Sequence, residues 1–410
     1  MSKTLQRIAW VVAIVGFVVG LVGLYQRLTM GHEAANYGSY VPWGLWVAAY
    51  IYFIGLSAGA FLLSTLVYVF QIERLEKIGK LALFTAVVTL VAAMFSIWLD
   101  LGHPERAWRL VLRTNFRSIM GWMIWFYSAY FILLIVELWF AMRADLVACG
   151  DEPGLKGALC RFLTFGRKDV SESALQRDRR VLRVLGSIGV PLAVAFHGGV
   201  GALFGVVGAR PYWHGGLAPI TFLIGALTSG GALLAFVTAI WGPDRGTEEH
   251  RRLVIFLGQI VMGLLAFDLL LEWAEYSIGL YSAVPAEAES LRLVLFGQYW
   301  WAFWIVHLLI GAVIPLALLA FRGRSLPAVA TASALIAITF LSVRLNIVIP
   351  GLAVEELEGL RTAFTGPGLR FDYFPSTMEW LFFIWTVSLA GLLFLIGYYL
   401  LPIVRPSEVA

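Results

Sequence analysis

Charge is scarce in this chain. Asp, Glu, Lys and Arg make up 14% of its 410 residues, against about 25% in soluble domains. Cysteine is scarcer still: Cys149 and Cys160 are the two that occur. Two thiols cannot supply the four ligands of an iron–sulfur cluster or a structural zinc. Both sit in a loop predicted to face the reducing cytoplasm, so free thiols are expected. No glycine-rich phosphate loop and no Ser-His-Asp pattern occurs. The basic residues form no patch interleaved with aromatics, so a net charge of +4 is not a nucleic-acid signal. Hydrophobic residues account for 60% of the chain and the mean hydropathy is +0.82. That excludes a soluble protein with one core.

Ten apolar runs of about 20 residues span the hydrocarbon thickness of a bilayer as helices. They cover approximately residues 8–28, 43–70, 79–101, 118–142, 183–207, 216–241, 253–279, 297–320, 327–348 and 378–401. The first has Lys3 and Arg7 before it and no small-residue cleavage site after it, which predicts a retained helix. The two termini and the loops after even-numbered spans carry 20 of the 30 Lys and Arg residues. That excess predicts a multi-pass membrane protein with both termini in the cytoplasm; the family resemblance given below implies the bacterial or archaeal inner membrane.

Spans 2 and 6 echo each other. Leu56-Ser57-Ala58-Gly59-Ala60-Phe61-Leu62-Leu63 aligns with Leu227-Thr228-Ser229-Gly230-Gly231-Ala232-Leu233-Leu234. One helix later, Trp98-Leu99-Asp100 matches Trp273-Ala274-Glu275. A four-helix unit preserves direction across the membrane. The expected fold is therefore all-α: two parallel four-helix bundles flanked by one helix at each end. The corresponding divisions are 1–42, 43–207 (first bundle), 208–350 (second bundle) and 351–410.

An ionisable side chain in the membrane is costly and marks a pathway or a site. Span 3 ends in Asp100-Leu101-Gly102-His103-Pro104. Asp100 and His103 are candidate proton donors and acceptors there. His197 lies near mid-depth in span 5, followed by Gly198 and Gly199, and is a candidate ligand or proton-transfer group. In span 7, Asp268, Glu272 and Glu275 occupy i, i+4 and i+7, one helical stripe. With Arg344, Glu379 and Glu137 they form a candidate proton path; the span-7 acids are either that wiring or a vestigial second site, and an Arg344–acid ion pair is the structural alternative. Tyr127 and Tyr130 could reach a ligand but are expected to pack or to join an interfacial belt, and His307 is expected to pack. His32, His214 and His250 are expected in loops. The two membrane histidines fall in different bundles, so no facing pair exists for haem.

Trp43-Gly44-Leu45-Trp46 with Gly55-Leu56-Ser57-Ala58-Gly59-Ala60 resembles the first signature of the NrfD/PsrC family of integral membrane respiratory subunits. Asp100-Leu101-Gly102-His103-Pro104 resembles the family's Asp-x-Gly-x-Pro loop. His197-Gly198, Arg344-x-Asn346, and Tyr373-Phe374-Pro375-Ser376 before Glu379 are similar to its longer, ten-span branch, which includes DsrP and HybB. The resemblance implies a quinone site in the first bundle near the periplasmic face. It carries an acid role to Asp100, a head-group contact to His197, and further contacts to Tyr40, Trp43 and Trp46. It also implies menaquinone or ubiquinone as the substrate-like cofactor, drawn from the quinone pool in the lipid. A periplasmic ferredoxin-like iron–sulfur subunit and further redox subunits are the implied partners.

The expectation is a quinone- or quinol-reactive subunit of a respiratory oxidoreductase, inactive alone and possessing no haem or cluster. The rival is a secondary transporter using the intramembrane acids; many transporters, however, show inverted repeats or helices broken at mid-membrane. A passive anchor would not need three acids on one stripe.

Overall fold

The computed structural model describes residues 3–68, 73–282 and 284–404. Among these, ten helices are long and apolar enough to cross a membrane. They are α1 (Lys3–Met30), α2 (Leu45–Tyr68), α3 (Gly79–Asp100), α4 (Ile119–Cys149) and α5 (Glu172–Gly205). After them come α6 (Ala218–Trp241), α7 (Glu248–Tyr281), α8 (Ala302–Arg322), α9 (Leu326–Val348) and α10 (Thr377–Leu400). No strand occurs among the described residues. The expected end of the second span, residues 69–70, lies outside them.

Several helices outrun the apolar segments that mark them. α4 runs to Cys149, and α5 begins at Glu172, where Ser171 accepts the Ala174 N–H as its cap. Hydropathy detects only the part of a helix that lipid requires to be apolar. Polar turns beyond the bilayer keep their backbone bonds and continue the helix. Residues 143–182 are thus largely helical, with a short amphipathic helix Gly154–Leu163 between α4 and α5. That helix folds back on the end of α4 and brings Cys160 to Cys149. The two form a disulfide with Cα atoms 5.8 Å apart, which overturns the expectation of free thiols. Eleven residues of sequence separation did not reveal the reversal that joins them.

Small residues set the tightest helix contacts, as lipid-embedded packing requires. α1 lies along α10, with Gly16, Gly20 and Gly23 against Ser388, Trp385 and Phe382. α2 is central and almost wholly buried, packing on α3, α5, α6 and α9. α4 packs on α5, α7 on α6, and α8 on α9. In α8 the stretch Ala302–Val313 is π-helical before the α-helical Ile314–Arg322. Such segments are rare and often sit at functional sites.

Candidate functional site

On the face opposite the 143–182 segment, α6, α7 and α9 enclose a cavity with the end of α5. Its walls are aromatic: Phe204, Trp213, Phe222 and Phe340. Its polar groups are Tyr212, Asp268, Glu272, Glu275, Tyr276 and Arg344. The α7 acids arrive on one stripe because their spacing advances by close to whole helical turns. Arg344 is buried, with its guanidinium 4.8 Å from the Phe222 ring centre and 5.1 Å from that of Phe340. Its Nε and Nη2 are enclosed without a hydrogen-bond partner. A Cβ on Gly225 would lie 2.8 Å from Nη2, so the missing side chain gives the arginine its room. No α7 acid lies within ion-pair distance of Arg344 among the described residues. Glu272 is instead bonded to His307, Nε2 to Oε2 at 2.7 Å. The Tyr212 hydroxyl donates to the Asn346 carbonyl at 2.9 Å.

This arrangement suits a flat, apolar ligand that accepts hydrogen bonds. Arg344 holds unused donors, and the Glu272–His307 pair is able to exchange a proton. Thr221, Glu272 and Tyr276 are only half-buried, so the cavity opens at the surface beside these side chains.

The other sequence-predicted residues divide between this cavity and a second polar cluster. His197 is fully buried on α5, its ring 6.4 Å from that of Phe222, with both ring nitrogens unpartnered. Trp43 stacks on Trp213 at 5.7 Å and meets Phe204 edge-on. Both therefore border the cavity wall. Asp100 sits elsewhere, in the group formed by Arg27, His32, Tyr37 and Trp46 between α1, α3 and α10. One oxygen of Asp100 is buried without a partner. Arg27 caps the end of α3 by donating to the Leu99 and Leu101 carbonyls, each at 2.6 Å. Burial lowers the His32 pKa, with Arg27 adding to the effect, and raises that of the Tyr37 hydroxyl.

His103 is exposed and bonds Glu105 at 3.1 Å. No contact joins Asp100, His103 and His197 to one another among the described residues. Tyr40 stacks on Phe371 at 4.4 Å, and the Trp46 indole donates to the Glu379 carbonyl at 3.1 Å. Glu137 is fully buried in α4, and neither of its carboxyl oxygens has a hydrogen-bond partner among the described residues.

Glu379 begins α10 as the acid of a capping box with Ser376. Its carboxylate accepts from the Asn36 N–H at 2.9 Å, the Ser376 N–H at 2.8 Å and the Tyr373 hydroxyl. Glu379→Ala leaves these buried donors without an acceptor. It should destabilise the protein by about 2 kcal/mol or more, since a lost cap and unmade buried bonds combine. A detergent thermal-shift measurement unchanged from wild type would remove the capping role.

Sequence reasoning missed His307, Tyr212, Tyr276 and Arg27 as partners in these clusters. The signal available for His307 was its membrane depth alone; the π-helical turn that presents it leaves no mark in residue periodicity. No group of three or more His, Cys, Asp or Glu able to hold a metal occurs among the described residues.

Residues 33–355 match the family described as "Polysulphide reductase, NrfD". The chain is 37% identical to a selenate reductase subunit of Mesobacillus selenatarsenatis over 95% of its own length and 93% of that protein. It is 28% identical to the Hdr-like menaquinol oxidoreductase integral membrane subunit of Archaeoglobus fulgidus, covering 90% and 87% of the two chains. It is 24% identical to the menaquinone reductase integral membrane subunit of Nitratidesulfovibrio vulgaris, covering 98% and 92%. The chain belongs to the NrfD family.

Proposed function

We propose that this member of the NrfD family is the quinone-reactive membrane subunit of a multisubunit respiratory oxidoreductase, and that the quinone head group enters the cavity between α6, α7 and α9. The observation that carries the site is Arg344: a buried guanidinium with unused donors, facing an aromatic-walled slot that opens at the surface. Two similar proteins are named for menaquinol or menaquinone chemistry, which supports the ligand class. A shared origin with oxidoreductase subunits also weighs against the transporter alternative.

Interconversion of quinone and quinol moves two electrons and two protons. Arg344 donates a hydrogen bond to a head-group oxygen. Glu272, held by His307, and the nearby Asp268 and Glu275 exchange protons with it. The aromatic walls and Trp43 exclude water. Electrons pass to or from an iron–sulfur cluster of a partner subunit docked on the same, periplasmic face. The protein sits in the cytoplasmic membrane with both termini inside, as the 20-to-10 distribution of Lys and Arg favours. A disulfide in a cytoplasmic segment is unusual; here Cys160 is fully buried.

A second placement has one observation in its favour. Asp100 carries a buried oxygen without a partner and ends α3, so the head group would sit against Asp100 in the first bundle. Asp100→Asn decides between the two. With the head group in the cavity, the assembled complex retains turnover of a soluble quinol analogue and its affinity for a quinone-site inhibitor. Loss of both, with assembly intact, moves the site to Asp100. Failure of the purified complex to contain quinone or a cluster-bearing subunit would end the whole proposal.

A further inference from the structure

A groove of about 370 Å³ runs between α3 and α10 at the membrane face that carries the 143–182 segment. That volume falls within the range of small-molecule sites, about 300–1,000 Å³. No polar side chain lines the groove. Phe84, Val88 and Val91 belong to its α3 wall, and Ile396 and Leu400 to its α10 wall. The α3 residues continue a helical stripe that begins at Lys80, which is paired with Asp145 of α4 at 2.6 Å. From Lys80 to Val91 the wall extends about 16 Å at 1.5 Å per residue, roughly half of the hydrocarbon core. The groove is therefore one leaflet deep, the reach of an acyl chain. A polar head group finds no partner inside it, so the polar end of any occupant lies at the mouth.

The mouth is roofed by the short helix Gly154–Leu163, whose Leu159 and Leu163 complete the lining. The disulfide to Cys149 fastens that roof, and Cys160 Sγ lies 4.0 Å from the Leu400 carbonyl oxygen. Leu155, Phe162 and Phe165 are exposed on the helix and the turn after it. The Phe165 ring lies 6.1 Å from that of Phe162 and 6.2 Å from that of Trp139. The Trp139 indole donates to the Leu163 carbonyl at 2.8 Å. Exposed apolar side chains beside an anchoring tryptophan mark a helix lying in the membrane interface. Four cations surround it. Lys156 is paired with Glu152 at 2.9 Å, and Arg161 donates to the Gly150 carbonyl at 2.5 Å, so both serve the helix itself. Arg167 and Lys168 follow Leu163 in an exposed turn, Arg167 lying 5.8 Å from the Trp139 ring centre. Neither makes an ion pair among the described residues. Two uncompensated cations beside an apolar groove one leaflet deep complement a ligand with a long chain and an anionic head. A quinone carries no charge for them to meet.

We propose that this groove binds an anionic phospholipid of the adjoining leaflet, one acyl chain lying along α3 and α10 beneath the short helix and the phosphate against Arg167 and Lys168. The site shares no lining residue with the cavity of α6, α7 and α9 and does not rest on the quinone reading. Lipid held here ties the 143–182 segment to the bilayer surface through both its apolar and its charged groups.

The test titrates the full chain, purified in detergent with the subunits that accompany it, with dioleoyl phosphatidylglycerol and separately with dioleoyl phosphatidylcholine. Native mass spectrometry counts the bound lipid. Wild type should retain one phosphatidylglycerol with an affinity about tenfold or more above that for phosphatidylcholine, since each Lys or Arg near an anionic head group adds to the preference. Arg167→Gln combined with Lys168→Gln should erase the preference while binding through the chain persists. Ile396→Trp, at an exposed position of the α10 wall, should plug the groove and lose the retained lipid of either kind. Val91→Phe plugs the opposite wall and judges the groove if Ile396→Trp does not fold. Equal affinity of wild type for the two lipids marks ordinary surrounding lipid and overturns the head-group site. Undiminished retention in the plugged variants overturns the groove. A quinone retained in place of phospholipid, and released by the plugs, overturns the assigned occupant.

Discussion

Replacing Arg344 by glutamine is expected to lower quinol-analogue turnover of the assembled complex by about 10- to 100-fold. A hydrogen bond to or from a charged group contributes roughly 1.5–3 kcal/mol, and each 1.4 kcal/mol is tenfold. Stability should move the other way or not at all. Arg344 is buried with two nitrogens unpartnered and no carboxylate within ion-pair distance. Its charge is carried by the faces of Phe222 and Phe340 and by the more distant field of Asp268. Removing a charge held that loosely relieves desolvation rather than breaking a pair. The signature is therefore weaker inhibitor binding and slower turnover with an equal or higher melting temperature. A structural ion pair would give the reverse: Arg344→Gln would melt early and keep its inhibitor affinity. Glu272→Gln supplies the contrast, because its partner is His307 at 2.7 Å, not Arg344.

Different parts of the molecule were legible in the sequence for different physical reasons. The ten spans read clearly because lipid enforces about 20 apolar residues per crossing, a rule that needs no tertiary information. The α7 stripe read equally well, since spacing alone puts Asp268, Glu272 and Glu275 on one side of a helix. Their partners did not. His307 reaches Glu272 from a π-helical turn of α8, and Tyr212 comes from the loop after α5. Those juxtapositions depend on how separate helices dock. Asp100, His103 and His197 share chemistry but not a location. Past Asp100 the chain turns extended at Leu101, which throws His103 outward, while Arg27 of α1 fastens the helix end. Glu379 looked like an intramembrane acid because its place at an N-cap depends on where α10 begins, and helix starts are the least certain feature of a sequence.

Gly59→Val should prevent the protein from assembling. Gly59 and Gly230, which the internal echo aligns, meet at the crossing of α2 and α6. A Cβ on Gly59 would lie 2.1 Å from the Ala226 carbonyl oxygen and 2.8 Å from the Gly230 Cα. A Cβ on Gly230 would lie 2.6 Å from the Gly59 Cα. These obstacles are backbone atoms, so no side-chain rotation relieves them and the helices must move apart. Overpacking a core commonly costs about 1–3 kcal/mol when side chains can give; here the cost should exceed that range. The same separation would disturb Gly55, Ser229 and His197, which meet one helical turn away. Aligned residues touching each other is the geometry of a two-fold axis running along the crossing, as in a symmetric dimer where a residue meets its own copy. The control is Gly263→Ala on α7, where nothing lies within 4 Å of the added carbon. That change should be neutral or stabilising by up to about 1 kcal/mol, from helix propensity alone. Membrane-extracted yield and fluorescence size-exclusion profiles read both variants. If Gly59→Val matches wild type in yield and melting temperature while Gly263→Ala does not, close backbone approach at the repeat crossing is not what holds α2 to α6.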